Sequence, residues 1–139
     1  MITPELPLNV STAYGEFPEP ARTQLLLLRD LIFEVASDNP SIGSIHETLK
    51  WGEPAYLTLD TKSGSTVRLA SKPASPELCG IYLNCNTTLI ADMRDIYPND
   101  FSYCTNRAAL VPAEQPPSKD TLSHCLELAL TYHARKRRT

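Results

Sequence analysis

The segment PAYLTLDTKSGSTVRLA (Pro54–Ala70) decides the fold expected for this chain, because apolar and polar side chains alternate on both sides of its polar centre. A period of two is typical of strands with one buried face, and the central KSGS is typical of a hairpin turn. The pattern therefore predicts two antiparallel strands, with Tyr56, Thr58 and Arg68 facing away from the core. The side chains predicted to face the core are Ala55, Leu57, Leu59, Val67 and Leu69.

Further elements are predicted on both sides of this hairpin. Apolar residues at helical spacing predict one helix over residues 18–37 and another that begins at Ser118. A short helix is predicted from Pro40 to Lys50, since Gly52 is well suited to a helix C-terminal turn and Pro54 prevents the helix from resuming. CGIYLN (79–84) and NRAALV (106–111) are expected to add two more strands, with a helix between them.

This order of elements predicts an α+β domain with two layers. We expect a mainly antiparallel sheet of four to five strands, packed against the N- and C-terminal helices. A single helical layer would leave the second face of the sheet partly open. Residues 1–17 are interpreted as an extended lead-in, 18–134 as one domain and 135–139 as a basic tail.

Composition narrows the classes of function. The chain has 139 residues and a net charge of −3, and its basic residues cluster only at the C-terminal end, so a nucleic-acid-binding face is not expected. No apolar run approaches the ~20 residues that span a bilayer, and the N-terminal segment lacks the pattern of a signal peptide. We therefore expect a cytoplasmic protein without a membrane partner.

LKWGEPAYL (Leu49–Leu57) contains the only tryptophan of the chain and has two interpretations. In the functional one, Trp51 and Tyr56 form the mouth of a pocket beside Glu53. In the structural one, Trp51 covers the edge of the core while Gly52 and Pro54 shape the turn into a strand. The segment is interpreted mainly as a hinge.

The open face of the sheet is the stronger candidate site. Period-two phasing places Tyr56, Arg68, Tyr82 and Asn84 together on that face. Thr87 and Thr88 would add hydroxyl and backbone N–H donors for an anion, and Arg107 a forked donor for carboxylate or phosphate. The alternatives are a solvated face on which Arg68 and Arg107 pair with acids such as Glu53 or Asp60, or an oligomer interface.

The chain resembles the YdhG-like family of domains of unknown function, which includes a bacterial frataxin-like iron chaperone. The resemblance rests on ETLKWGEPAYL (Glu47–Leu57), YLNCNTTLI (Tyr82–Ile90) and FSYCTNRAAL (Phe101–Leu110) and extends over nearly the whole chain from Phe17. It implies a compact α+β domain and favours a homo-oligomer, without implying a reaction. Thr105 departs from the pattern, since glycine is expected there. A β-branched residue disfavours positive φ, so this turn is expected to be built differently.

The frataxin-like relative motivates an iron-binding alternative. Asp30, Glu34 and Asp38 recur at i, i+4 and i+8 on one helix and could hold iron through oxygen ligands. Carboxylates on the polar side of an amphipathic helix are, however, usually only hydrated. No cofactor is therefore assigned.

A thiol-dependent enzyme is a second alternative. A cysteine–histidine dyad would require Cys85 or Cys104 beside His46, and nothing local favours that. Phosphate loops, nucleophile elbows and zinc spacings are absent from the sequence. The expected function is therefore a small non-catalytic domain that binds an anionic ligand or a protein partner, with Trp51, Tyr56, Arg68, Asn84 and Arg107 at the site.

Overall fold

The computed structural model describes residues 3–138 and shows an open sheet covered on one face by helices. All neighbouring strands are antiparallel, in the order β1-β2-β3-β4-β6-β5. The strands are β1 (His46–Lys50), β2 (Glu53–Leu57), β3 (Val67–Ala70), β4 (Leu78–Tyr82), β5 (Ser102–Cys104) and β6 (Ala108–Pro112). The described residues thus form a six-stranded sheet, slightly larger than the four to five strands predicted.

Five helices accompany the sheet in the described residues, and the second, third and fourth of them were predicted. The helices are α1 (Leu8–Gly15), α2 (Ala21–Asp38), α3 (Leu89–Ile96), α4 (Lys119–Leu130) and α5 (Tyr132–Arg137). The apolar faces of α2 and α4 are buried in the core, as helical periodicity predicts. Ser118 caps α4 by accepting a hydrogen bond from the Thr121 N–H at 3.2 Å.

Both ends of the chain are more helical than expected. Helix α1 lies within the segment predicted as an extended lead-in, and its Val10 and Tyr14 are buried against the core. Three basic residues of the predicted tail form the second half of α5, where the Arg135 guanidinium donates to the Leu128 carbonyl at 2.7 Å. Residues 1, 2 and 139 of these predicted segments lie outside the described residues.

The short helix predicted from Pro40 to Lys50 is wrong, because its second half is strand β1. Lys50 pairs with Glu53 across a two-residue turn made of Trp51 and Gly52. Both turn residues have positive φ, 56° for Trp51 and 75° for Gly52, which is the requirement of a type I′ hairpin turn. Gly52 therefore closes a hairpin instead of ending a helix.

The predicted phase of β2 is also wrong. Tyr56 pairs with Val67, and Ala55 pairs with Arg68. Directly opposed residues share a face, so Tyr56 lies on the core side and is fully buried, away from Arg68. The alternation of apolar residues predicted that Leu57 and Leu59 face the core, yet Leu59 is 51% exposed. A tyrosine enters the core when its hydroxyl finds partners there, as it does here.

Strands β3 and β4 keep the predicted phase, although the KSGS hairpin turn is wrong. Arg68 pairs with Tyr82 and Leu69 pairs with Ile81, so the first pair is on the open face and the second in the core. Residues 58–66 form a longer connection that is tied to the end of α4, where Ser65 N–H donates to the Ala129 carbonyl at 2.9 Å. Tertiary hydrogen bonds thus replace the local turn.

Thr105 holds the positive φ that its β-branched side chain disfavours. Its φ is 51°, so the expectation of a differently built turn is wrong. A non-glycine residue with positive φ costs about 1–3 kcal/mol, whereas glycine costs about 0.5–1 kcal/mol because it loses more backbone entropy on folding.

We expect Thr105→Gly to raise the free energy of unfolding by about 1 kcal/mol, measured by urea denaturation. Thr105→Ala keeps the Cβ that causes the strain, so its free energy of unfolding should rise by less than that of Thr105→Gly. A loss of stability in the glycine variant would contradict this account of the turn.

Candidate functional site

A cleft of about 330 Å³ opens on the face of the sheet that the helices leave uncovered. We call it the Trp51 cleft. Its lining residues are Lys50, Trp51, Thr66, Arg68, Leu83, Asn84, Cys85 and Arg107. Four of them, Trp51, Arg68, Asn84 and Arg107, are among the predicted ligand-binding residues. The volume lies at the lower end of the range of small-molecule sites, which is about 300–1,000 Å³.

Trp51 stands at one wall of the cleft in an unusual conformation. It occupies the first central position of the β1–β2 turn with φ of 56°, where Asn or Gly is preferred. Its side chain is 90% exposed, more than any other large hydrophobic residue of the described chain. Because both features disfavour tryptophan, folding alone gives no reason for it to be here.

Arg68 lies on the central strand β3 and is held by one neighbour on each adjacent strand, Glu53 on β2 and Tyr82 on β4. Its Nη1 donates to Glu53 Oε1 at 2.6 Å, and its guanidinium lies 5.8 Å from the centre of the Tyr82 ring. The Lys72 ammonium contacts both Glu53 and the same ring. The predicted alternative of an Arg68–Glu53 ion pair is thus present, and it fixes the position of the guanidinium beside the cleft.

Tyr82 shares the face of Arg68, as predicted, but lies beside the cleft under the two cations. Burial raises the pKa of its phenol, with a further contribution from the negative charge of Glu53. The phenol therefore stays neutral at physiological pH. Its role in this structure is to support Arg68 and Lys72 through cation–π contacts.

The loop after β4 and the start of β6 form the far wall. The Leu83 N–H donates to the Arg107 carbonyl at 2.7 Å, and Asn106 Nδ2 donates to the Cys85 carbonyl at 2.9 Å. Asn84 Oδ1 accepts from the Asn86 N–H at 2.8 Å, so the amide donor of Asn84 is not used in the described chain. The first two hydrogen bonds fix the two segments relative to each other.

The cleft is positively charged within an acidic protein. Its lining includes Lys50, Arg68 and Arg107 and no carboxylate, whereas the whole chain has a net charge of −3. Arg107 is exposed and forms no ion pair within residues 3–138. A concentration of like charge in a concave surface attracts anions.

Thr87 and Thr88 do not line the cleft. The Thr87 hydroxyl donates to the Asn84 carbonyl at 2.8 Å and accepts from the Leu89 N–H at 3.4 Å. The Thr88 N–H donates to the Tyr132 hydroxyl at 3.1 Å, and its own hydroxyl donates to Asp92 at 3.0 Å. The groups predicted to bind an anion therefore bind other parts of the chain.

Tyr56 belongs to a buried network that the sequence analysis missed. Its hydroxyl lies 2.6 Å from the Tyr14 hydroxyl and donates to Glu47 Oε2 at 2.7 Å. Glu47 also accepts from Arg29 Nε at 2.6 Å and from Arg29 Nη2 at 3.0 Å, while Nη2 donates to the Pro4 carbonyl at 2.7 Å. Burial raises the pKa of both tyrosines. The network stabilises the junction of α1, α2, β1 and β2.

The acidic residues of α2 do not converge on one point. Glu34 Oε1 pairs with Lys119 Nζ at 3.3 Å. Across residues 3–138, no three His, Cys, Asp or Glu side chains are grouped as a metal site would require. The arrangement of Asp30, Glu34 and Asp38 thus adds no support for iron binding.

The structure does not bring Cys85 or Cys104 beside His46, as the thiol-enzyme alternative would require. His46 lies on β1 and Cys104 on β5, the two opposite edges of the sheet, about 24 Å apart at the usual strand spacing. Cys85 follows β4, three strands away from His46. Cys79 and Cys125 are buried, which raises their pKa values to about 11 and about 12.

The fold resembles a solved structure from Bacillus subtilis, the YdhG protein of the DUF1801 family. The TM-score is 0.57 at 16% sequence identity, over 88% of this chain and 89% of that one. At this identity the likeness shows the fold alone, a YdhG-like α+β domain, and the neighbour's family is one of unknown function. It gives no support to the frataxin-like link.

Comparisons with protein-family models and with curated proteins found no match. Among residues 3–138, no helix combines the length and the apolar character that a membrane crossing requires.

Proposed function

We propose that this protein is a non-catalytic binding module that holds a small anionic ligand in the Trp51 cleft. The observation that carries the proposal is the charge of the lining, in which three cations and no carboxylate surround about 330 Å³. Two of the cations are arginines, whose planar forks bind carboxylate and phosphate through paired hydrogen bonds.

The state of the two arginines supports this assignment. Arg68 is pre-oriented by Glu53 and Tyr82, which lowers the conformational entropy lost when a ligand binds. Arg107 has no ion pair in the described chain, so an incoming anion displaces no internal partner. Asn84 adds a neutral donor on the same wall.

We expect the double substitution Arg68→Ala, Arg107→Ala to abolish binding of inorganic pyrophosphate and citrate, measured by isothermal titration calorimetry. The melting temperature should change by only a few degrees, because a partly exposed ion pair contributes about 0–1 kcal/mol. Wild-type affinity should also fall as salt rises.

Arg22→Ala with Lys119→Ala is the matched control, since it removes the same charge from the helical layer. Equal loss of binding in the control would show that overall charge, not the cleft, attracts the anions. Unfolding of the double arginine variant would show that these arginines are structural.

A further inference from the structure

We infer that the ligand of the Trp51 cleft is a nucleoside phosphate, whose base stacks on the Trp51 indole while its phosphate binds Arg68 and Arg107. This inference rests on the proposed function and names the class of anion. It requires the cleft to offer a stacking surface, phosphate donors and space for a single nucleotide.

The stacking surface is Trp51. Within residues 3–138, no aromatic ring packs against its indole, which is 90% exposed at the rim of a cationic cleft. An indole in this position presents a flat π-face, and every nucleobase can stack on such a face. A simple inorganic or aliphatic anion would make no use of it.

The conformation of Trp51 strengthens this point. An Asn-Gly pair would form the same type I′ turn without the strain of a tryptophan at φ of 56°. Non-glycine residues with positive φ cluster at functional sites; Lys62 and Thr105 also have positive φ, and of these three described residues Trp51 is the one that lines the cleft. The turn therefore holds the indole where its ring is useful to a ligand.

The phosphate donors lie on strands β1 and β3 and on residues that flank β3, β4 and β6. Arg68 and Arg107 offer forked donors, Lys50 adds a third positive charge, and the Asn84 amide and Thr66 hydroxyl add neutral polar groups. Three cations without an acid in the lining match a phosphate dianion better than a single carboxylate. The volume of about 330 Å³ suits one nucleotide and not an oligomer.

The single tryptophan makes this inference directly testable, because all tryptophan fluorescence of the protein comes from Trp51. We expect AMP to quench this fluorescence, and calorimetry to show AMP binding about tenfold or more tighter than ribose 5-phosphate. Adenosine should bind more weakly than AMP, and the Arg68→Ala, Arg107→Ala variant should bind neither phosphate.

Trp51→Asn should remove the stacking surface for the base without destabilising the fold. It creates the preferred Asn-Gly turn, so the melting temperature should be maintained or raised. Calorimetric affinity for AMP should fall to the affinity of the same variant for ribose 5-phosphate. Trp51→Tyr keeps an aromatic ring and should retain part of the preference for AMP.

Each contrary result overturns a different statement. Equal wild-type affinity for AMP and ribose 5-phosphate, with dependence on both arginines, would reject the nucleoside and keep an anion-binding module. Adenosine binding as tightly as AMP would reject the phosphate contact. Failure of AMP, ribose 5-phosphate, pyrophosphate and citrate to bind would reject both the inference and the proposed function.

Discussion

Replacing Glu47 by glutamine is expected to lower the free energy of unfolding by about 3–5 kcal/mol. The Glu47 carboxylate forms a bidentate ion pair with Arg29 and accepts a hydrogen bond from the Tyr56 hydroxyl. The Glu47 side chain is only 7% exposed. Glutamine removes the charge that compensates the buried guanidinium and places an N–H donor where acceptors are needed. Urea denaturation measures the loss.

Glu34→Gln is the control for this prediction. Glu34 pairs with Lys119 on the surface, where both side chains are well exposed, and an exposed pair contributes only about 0–1 kcal/mol. Equal costs for the two substitutions would mean that the Glu47 carboxylate is not desolvated in the folded protein.

A double substitution tests whether the uncompensated buried charge causes the loss of stability in Glu47→Gln. Combining Arg29→Met with Glu47→Leu removes both charges from the same place, and apolar replacement of a buried ion pair is often neutral or stabilising. We expect the double variant to recover at least half of the stability lost in Glu47→Gln. If it is less stable than Glu47→Gln, the specific hydrogen bonds matter more than the buried charge.

The sequence predicted those elements whose apolar pattern matches their final environment. Helices α2 and α4 each bury one continuous face, and β3 and β4 bury Leu69 and Ile81 while Arg68 and Tyr82 share the open face, as predicted. The prediction failed where a contact distant in sequence decides the outcome. Tyr56 faces inward because its hydroxyl donates to the Glu47 carboxylate and is hydrogen-bonded to the Tyr14 hydroxyl, and no local pattern contains that information.

The candidate site was predictable to the extent that it follows strand periodicity. Thr66 lies two positions before Arg68 and shares its phase, so the same alternation could have identified it. Lys50 could not be predicted as a cleft residue, because its position depends on the β1–β2 hairpin and the sequence predicted a helix there. Thr87 and Thr88 were misjudged because their internal partners come from a loop and from α5.

Gly64→Ala is expected to destabilise the protein by about 3 kcal/mol. A Cβ on Gly64 would lie 2.4 Å from the Leu130 carbonyl oxygen and 2.5 Å from the Leu130 Cα. These are backbone atoms at the end of α4, so no side-chain rotation relieves the overlap. The 58–66 connection must then move away from the helix.

That movement breaks hydrogen bonds on both sides of the glycine. Ser63 Oγ donates to the Leu130 carbonyl at 2.8 Å, Ser65 N–H to the Ala129 carbonyl at 2.9 Å, and Ala134 N–H to the Ser63 carbonyl at 2.9 Å. Three bonds at about 1 kcal/mol each account for the expected loss. Strand β3 begins at Val67, so the same shift should also weaken pyrophosphate binding through Thr66 and Arg68.

Gly15→Ala is the matched control, because a Cβ at Gly15 would meet no atom within 4 Å. Gly15 is the last residue of α1, where alanine should be neutral or stabilise by up to about 1 kcal/mol. Urea denaturation of both variants measures the difference. If Gly64→Ala unfolds at the wild-type midpoint, the connection yields without losing its bonds, and the close approach to Leu130 does not determine how β3 is held against α4.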